Sequence, residues 1–110
     1  MNTTTVTLKP KCYVFVCAGC DLLEQSQRND ALTCSPACRV RAHRSGVLRK
    51  LRDTAKSIHV PPAMLLQAAA IKRLSPETAA AVASGAIELD EAQRRIWPIF
   101  WDLLVKARDG

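Results

Sequence analysis

The sequence has no apolar run of about 20 residues, the length a membrane-crossing helix needs, so no membrane span is expected. Its opening stretch, MNTTTVTLKPK, holds no continuous apolar segment followed by a cleavage site, which argues against a secretory leader. The expected location is therefore cytoplasmic, where cysteines serve as thiols or metal ligands rather than disulfides. Aromatic residues are few: two Trp, two Phe and one Tyr. Val, Ile, Leu and Ala dominate the apolar 48%, a composition that suits small helices better than a β-sandwich. No internal repeat and no low-complexity segment occurs. No nucleophile–base pair, phosphate-binding glycine loop or paired carboxylates at useful spacing is present, so the chain is not expected to be an enzyme.

What the sequence does have is a concentrated positive charge. At 110 residues the chain has room for one domain or two very small ones, and its formal net charge is +6. Residues 1–38 carry three positive and three negative side chains, and residues 57–110 carry six of each. The excess lies wholly in residues 39–56, where Arg39, Arg41, Arg44, Arg49, Lys50, Arg52 and Lys56 face Asp53 alone. Such a block reads as the footprint of a polyanion, most often nucleic acid. The plainer reading is a solvated helix face, although such faces usually mix their signs. With His43, these seven residues are the candidate phosphate contacts.

It also has five cysteines, four of them in two spaced pairs. Cys17 and Cys20 form a C-x2-C turn; after thirteen intervening residues Cys34 and Cys38 form a C-x3-C. A tetrahedral zinc ion takes four such thiolates, two from a knuckle and two from the start of a helix, whose free N–H groups favour anionic sulfur. One structural zinc ion on Cys17, Cys20, Cys34 and Cys38 is expected. All four positions would be filled by protein, leaving none open to activate water. Cys12 could replace Cys17 only through a poorer C-x4-C knuckle and reads as strand packing. His43 and His59 read as ordinary helix and turn residues, His43 being placed equally well to meet a phosphate.

Local signals predict a mainly α chain. Short strands are expected at Val6–Leu8, at Tyr13–Val16 and near Ala31–Thr33. Ser35 caps and Pro36 opens a helix over 36–45, and a second helix covers 47–57 after a break at Ser45-Gly46. Apolar positions 40, 47, 48, 51, 55 and 58 fall within about 100° on a helical wheel. Further helices are expected over 63–73, from a Ser75 cap to Ser84-Gly85, and from Asp90 with Gln93 as a capping box. Pro98 should end or kink the last of these, with a short helix continuing over 99–108. The expected organisation is a zinc finger with an N-terminal arm over 1–45 and a helical, helix-turn-helix-like domain over 46–110.

The segment Arg28-Asn29-Asp30-Ala31-Leu32-Thr33-Cys34-Ser35-Pro36-Ala37-Cys38-Arg39-Val40-Arg41-Ala42-His43-Arg44 resembles small bacterial, phage and plasmid zinc fingers with the pattern R-x-D-A-x-x-C-S-x-x-C-R-x-R-A-x-R. The resemblance covers about residues 17–44 and implies a treble-clef or ribbon-like finger with a basic helix. The C-S-x-x-C-R element also resembles that of YacG-type zinc proteins, which inhibit DNA gyrase. Residues 51–67 form a helix-turn-helix pattern. With Leu74-Ser75-Pro76-Glu77 and Val82-Ala83-Ser84-Gly85, residues 51–96 resemble the DNA-binding domain of ParB/KorB-type partition and repressor proteins. Here the sequence departs from the pattern. The helix that should read bases runs Pro61-Pro62-Ala63-Met64-Leu65-Leu66-Gln67-Ala68-Ala69-Ala70, and only Gln67 suits a base edge.

Two functional readings follow. The first is a zinc-containing protein that binds double-stranded DNA, a transcriptional regulator of a plasmid or phage. The second is an inhibitor or adaptor that binds a host protein, such as a nucleic-acid enzyme or a defence complex. An exposed Gln67 helix would favour the first and a buried 63–70 helix the second. The apolar tail around Trp97, Phe100 and Trp101 is expected to close the core and to contribute to a homodimer interface.

Overall fold

The computed structural model describes residues 12–109, so the strand expected at Val6–Leu8 lies outside the described residues. The chain is mainly α. Strands β1 (Tyr13–Val16) and β2 (Leu23–Ser26) are followed by helices α1 (Pro36–Ser45), α2 (Val47–Ser57), α3 (Pro62–Leu74), α4 (Pro76–Ala83) and α5 (Leu89–Asp109). The strands pair antiparallel, with Tyr13 opposite Ser26 and Val16 opposite Leu23. The second strand is therefore not at Ala31–Thr33. Chain reversal through the loop 17–22 brings Leu23–Ser26 alongside β1 first, and the 31–33 segment instead supplies the Leu32 carbonyl to Ala18 N–H at 2.9 Å.

The first four helices begin and end on local signals. Ser35 Oγ accepts from Cys38 N–H at 3.2 Å and Pro36 occupies the first turn, where no donor is needed. Gly46, with φ of 81°, ends α1 and turns the chain into α2. That turn breaks the apolar stripe expected across both helices. Leu48 and Ala55 are buried, whereas Val40, Val47 and Ile58 are 49%, 40% and 54% exposed; α1 buries Cys38 and Ala42 instead. Ser75 caps α4 by accepting from Thr78 N–H at 3.3 Å, and Gly85, also at φ 81°, follows its end.

Helix α5 departs from expectation twice. It runs unbroken through Pro98, because Ile96 and Phe100 on either side are both buried in one core and hold the two halves in line. It also lacks the Asp90/Gln93 capping box. The Gln93 side chain turns inward, accepting from Val14 N–H at 2.8 Å and donating to the Val14 carbonyl at 2.9 Å.

All four residues of β1 are buried, and their alternation divides the interior. Val14 and Val16 face Ala70, Ile71, Ala92, Ile96 and Phe100 of α3 and α5. Phe15 and the following Cys17 face Cys38 of α1 and Leu66 of α3, with Leu51 of α2 partly buried against them. A boundary at residue 45 thus runs through shared cores, since a strand of the front segment packs between helices of the rear one.

Candidate metal centre and cationic helices

The four cysteines meet because three elements end at one place. Cys17 directly follows β1 and Cys20 lies further along the hairpin loop, which is held by Cys17 N–H to Leu22 carbonyl and Asp21 N–H to Cys17 carbonyl bonds, both 2.9 Å. Cys34 precedes α1 and Cys38 lies in its first turn. Their ligand atoms all lie within 4.8 Å of one another. Cys34 and Cys38 sulfurs are 3.5 Å apart, and those of Cys20 and Cys34 are 3.9 Å apart. Four sulfurs at tetrahedral corners, each about 2.3 Å from a zinc ion, would be separated by roughly 3.8 Å, so the spacing fits one ion. Cys12 is half-buried and outside the cluster, as are the exposed His43 and His59.

The surroundings suit anionic sulfur. Gly19 N–H and Cys34 N–H both donate to Cys17 Sγ at 3.3 Å. Burial pushes the Cys17 thiol up, but backbone N–H donors from Cys20, Cys34 and Gly19 outweigh it and bring it down to about 7. Cys34 moves the other way, up to about 12, through desolvation and then through the sulfurs of Cys38, Cys17 and Cys20 around it. Cys20 is also raised: the Leu22 N–H is the largest single influence and, with Cys34, favours its thiolate, but desolvation and the Cys17 sulfur together outweigh them. Four thiols this close cannot all ionise without a cation among them, and a bound dication would reverse the two upward shifts.

Two residues that the sequence did not flag shape this knuckle. A Cβ on Gly19 would sit 2.4 Å from the Cys38 carbonyl oxygen and 2.7 Å from its Cα, so only glycine lets the loop lie against α1. Arg73, on the last turn of α3, donates from Nη1 to the Asp21 carbonyl and from Nη2 to Asp21 Oδ1, both at 2.8 Å. Asp21 has φ of 60°, and this fork holds it in that left-handed conformation. An i+1 or i+2 glycine after the first cysteine is a signal that could have identified Gly19; Arg73 is remote in sequence and carried none.

Arg39, Arg41, His43 and Arg44 of α1 and Arg49, Lys50, Arg52 and Lys56 of α2 are all exposed. Arg28, Arg73, Arg94 and Arg95 each pair with a carboxylate, but none of the seven cations over 39–56 forms an ion pair among the described residues. They do not form one flat face. Helical geometry sets Arg39 and Arg41 about 200° apart around α1, whereas Arg49, Arg52 and Lys56, spaced i, i+3, i+7, share one side of α2.

Gln67 is not available as a base reader. It is 4% exposed, donates to the Asn29 carbonyl at 2.9 Å and accepts from Gln93 Nε2 at 3.4 Å. Ala63, Leu66, Ala70 and Ile71 of α3 are buried with it, so the helix spends its apolar character on the core. Nor do the three tail aromatics form one surface. Phe100 is buried in the core, Trp97 is partly buried against it, and Trp101 is 47% exposed, with ring centroids of Trp97 6.0 Å from both others. Among the described residues no helix is long and apolar enough to cross a membrane.

No protein family, curated protein or solved structure matches the chain. Fold and site together define a mainly α protein built around a four-cysteine cluster within metal-binding distance.

Proposed function

We propose that the protein holds one structural zinc ion on Cys17, Cys20, Cys34 and Cys38, and binds double-stranded DNA by its phosphates through α1 and α2. The observation that carries the DNA reading is the set of seven exposed cations without an ion-pair partner among the described residues. Cations left unpaired at such density repel one another, and a polyanion relieves that repulsion. Zinc follows from the donor set: four soft thiolates in a closed site favour zinc or an iron–sulfur centre, and the sulfur spacing suits a single ion. The further reading as a regulator from a plasmid or phage rests on the resemblance over residues 28–44. With Gln67 in the core, sequence preference is not expected to come from α3, and the grip is expected to be largely indifferent to sequence.

Elemental analysis should find one zinc per chain. DNA affinity should fall steeply with salt, by a slope of roughly 0.9 per phosphate neutralised. Substituting Ala at Arg49, Arg52 and Lys56 should weaken all duplexes alike and flatten that slope. Failure of any duplex to bind at about 50 mM salt, where phosphate contacts are strong, would end the DNA reading.

The second reading, an inhibitor or adaptor with a protein partner, is favoured by the burial of α3 and by the far end of α5, where Ile99, Trp101, Leu103 and Val105 are 39–49% exposed. Such a surface would serve a host protein or a second copy of the chain. Sedimentation that shows a monomer at every concentration would remove the homodimer.

A further inference from the structure

Four of the seven cations of α1 and α2 line one of two concavities. Arg41 and Arg44 line a shallow hollow with Ala37, Val40 and Ser45. Arg39 and Arg52 instead open into a separate concavity of about 350 Å³, together with Arg28, Ser26 and Thr33, over the buried Leu48. Its three arginines come from separate elements: Arg28 follows β2, Arg39 lies in the first turn of α1, and Arg52 lies within α2.

Among the described residues Asp30 is the one carboxylate lining this concavity, and Arg28 holds both of its oxygens, Nε to Oδ1 and Nη2 to Oδ2, each at 3.0 Å. Three guanidinium groups against one carboxylate leave an excess of two positive charges. Arg39 and Arg52 have no carboxylate partner among the described residues. Ser26 Oγ accepts from Arg28 N–H at 3.1 Å, which leaves its own proton to donate. The Thr33 hydroxyl adds a second neutral donor. Guanidinium forks match the oxygens of a phosphate geometrically as well as electrically.

We infer that this concavity is a seat for a terminal phosphate monoester. The inference rests on the reading that α1 and α2 hold a nucleic acid, and narrows it to the 5′-phosphorylated end of a strand. An excess of two positive charges matches the near-dianionic monoester better than the singly charged phosphodiester of an internal linkage. The space exceeds that of a phosphate group alone and admits the attached sugar.

Equilibrium binding of one duplex oligonucleotide in 5′-phosphorylated and 5′-hydroxyl forms tests the seat on the zinc-loaded full chain. The phosphorylated form should bind about tenfold more tightly, the increment of a charge-assisted bidentate contact. That advantage should vanish in R39A/R52A, shrink in R39K/R52K, which keeps the charge but loses the forks, and persist in R41A/R44A. Equal affinity of the two forms, or an advantage that survives R39A/R52A, overturns the seat, and the broader DNA reading then stands on the salt dependence alone. A nucleoside 5′-monophosphate distinguishes a free nucleotide from a strand end. If it binds as tightly as the oligonucleotide, and weakens in R39A/R52A, the seat stands with a free phosphate ester as its ligand. If it binds in this way while no duplex binds, the DNA reading fails and the seat survives it.

Discussion

Gln93 illustrates how much a single side chain can supply. Val14 lies in the middle of β1, and its N–H and carbonyl are both taken by the Gln93 amide, which acts in place of a neighbouring strand. The same amide donates to Gln67, whose own amide donates to the Asn29 carbonyl, so one buried network ties β1, α3, α5 and the loop before α1. Substitution Gln93→Ala leaves two buried backbone groups without partners and should lower stability by about 2–4 kcal/mol. Urea unfolding checks this, and a loss below about 1 kcal/mol would mean that water replaces the amide. Gly19 matters for the opposite reason, since it has to be absent of side chain. Gly19→Ala drives a methyl into the Cys38 backbone, which belongs to a helix and cannot yield as a flexible side chain would. Zinc affinity should fall at least about tenfold, a size usual for disturbed surroundings of a metal site, as measured by competition with a chromophoric chelator. Unchanged affinity would refute the close approach as the reason for glycine here.

Between elements, the two turns around the cationic helices depend on backbone conformation more than on contacts. A Cβ on Gly46 would meet nothing within 4 Å, so its requirement is the positive φ alone. Gly46→Ala should therefore cost about 1 kcal/mol, and Gly46→Asn less, read as a fall in melting temperature. Helix α5 carries a contrary feature: Pro98 removes one backbone donor from a continuous helix, yet its side chain is exposed and contributes nothing to the core. Pro98→Ala should restore that donor and raise stability, by up to about 3 kcal/mol. A decrease in stability would show that the cores on either side need a bend at that point. The apolar content of α3 likewise has a structural account, since five of its residues are buried between the two cores.

For the molecule as a whole, β1 couples the metal knuckle to the helical part. Its last residue leads directly into Cys17, while Val14 and Val16 pack on α3 and α5. Chelation should therefore destabilise the entire chain in one cooperative transition rather than melt a front domain and leave residues 46–110 folded. Parallel denaturation followed by Trp fluorescence, which reports on α5, and by a thiol-accessibility probe, which reports on the knuckle, should give coincident curves. Two separated transitions, or a peptide of residues 46–110 that folds alone, would contradict this. Acid should act in the same direction as chelator. The proposed ligands would bind zinc as thiolates, for which protons compete, and so metal retention should fall as pH is lowered, with zinc release and unfolding moving together.

Much of this protein is local and could be read from the sequence. Two cysteine pairs at metal-ligand spacing, a Ser-Pro start and a Gly stop for α1, and a Ser-Pro start for α4 each involve residues within a few positions of one another, so short-range geometry decides them. The clustered cysteines and the ends of the first four helices were legible for that reason. What only the tertiary structure decided involves partners far apart in the chain. The register of β2 depends on which segment first reaches β1. Gln93 leaves its expected cap because Val14, distant in sequence, offers two backbone groups that would otherwise be buried unpaired. Gln67 looked like a base reader because a helical wheel shows which residues share a side but not whether that side meets solvent or a strand. The same holds around residue 45: composition marks a change in charge along the chain, but only packing shows that β1 completes a core made by helices that follow it.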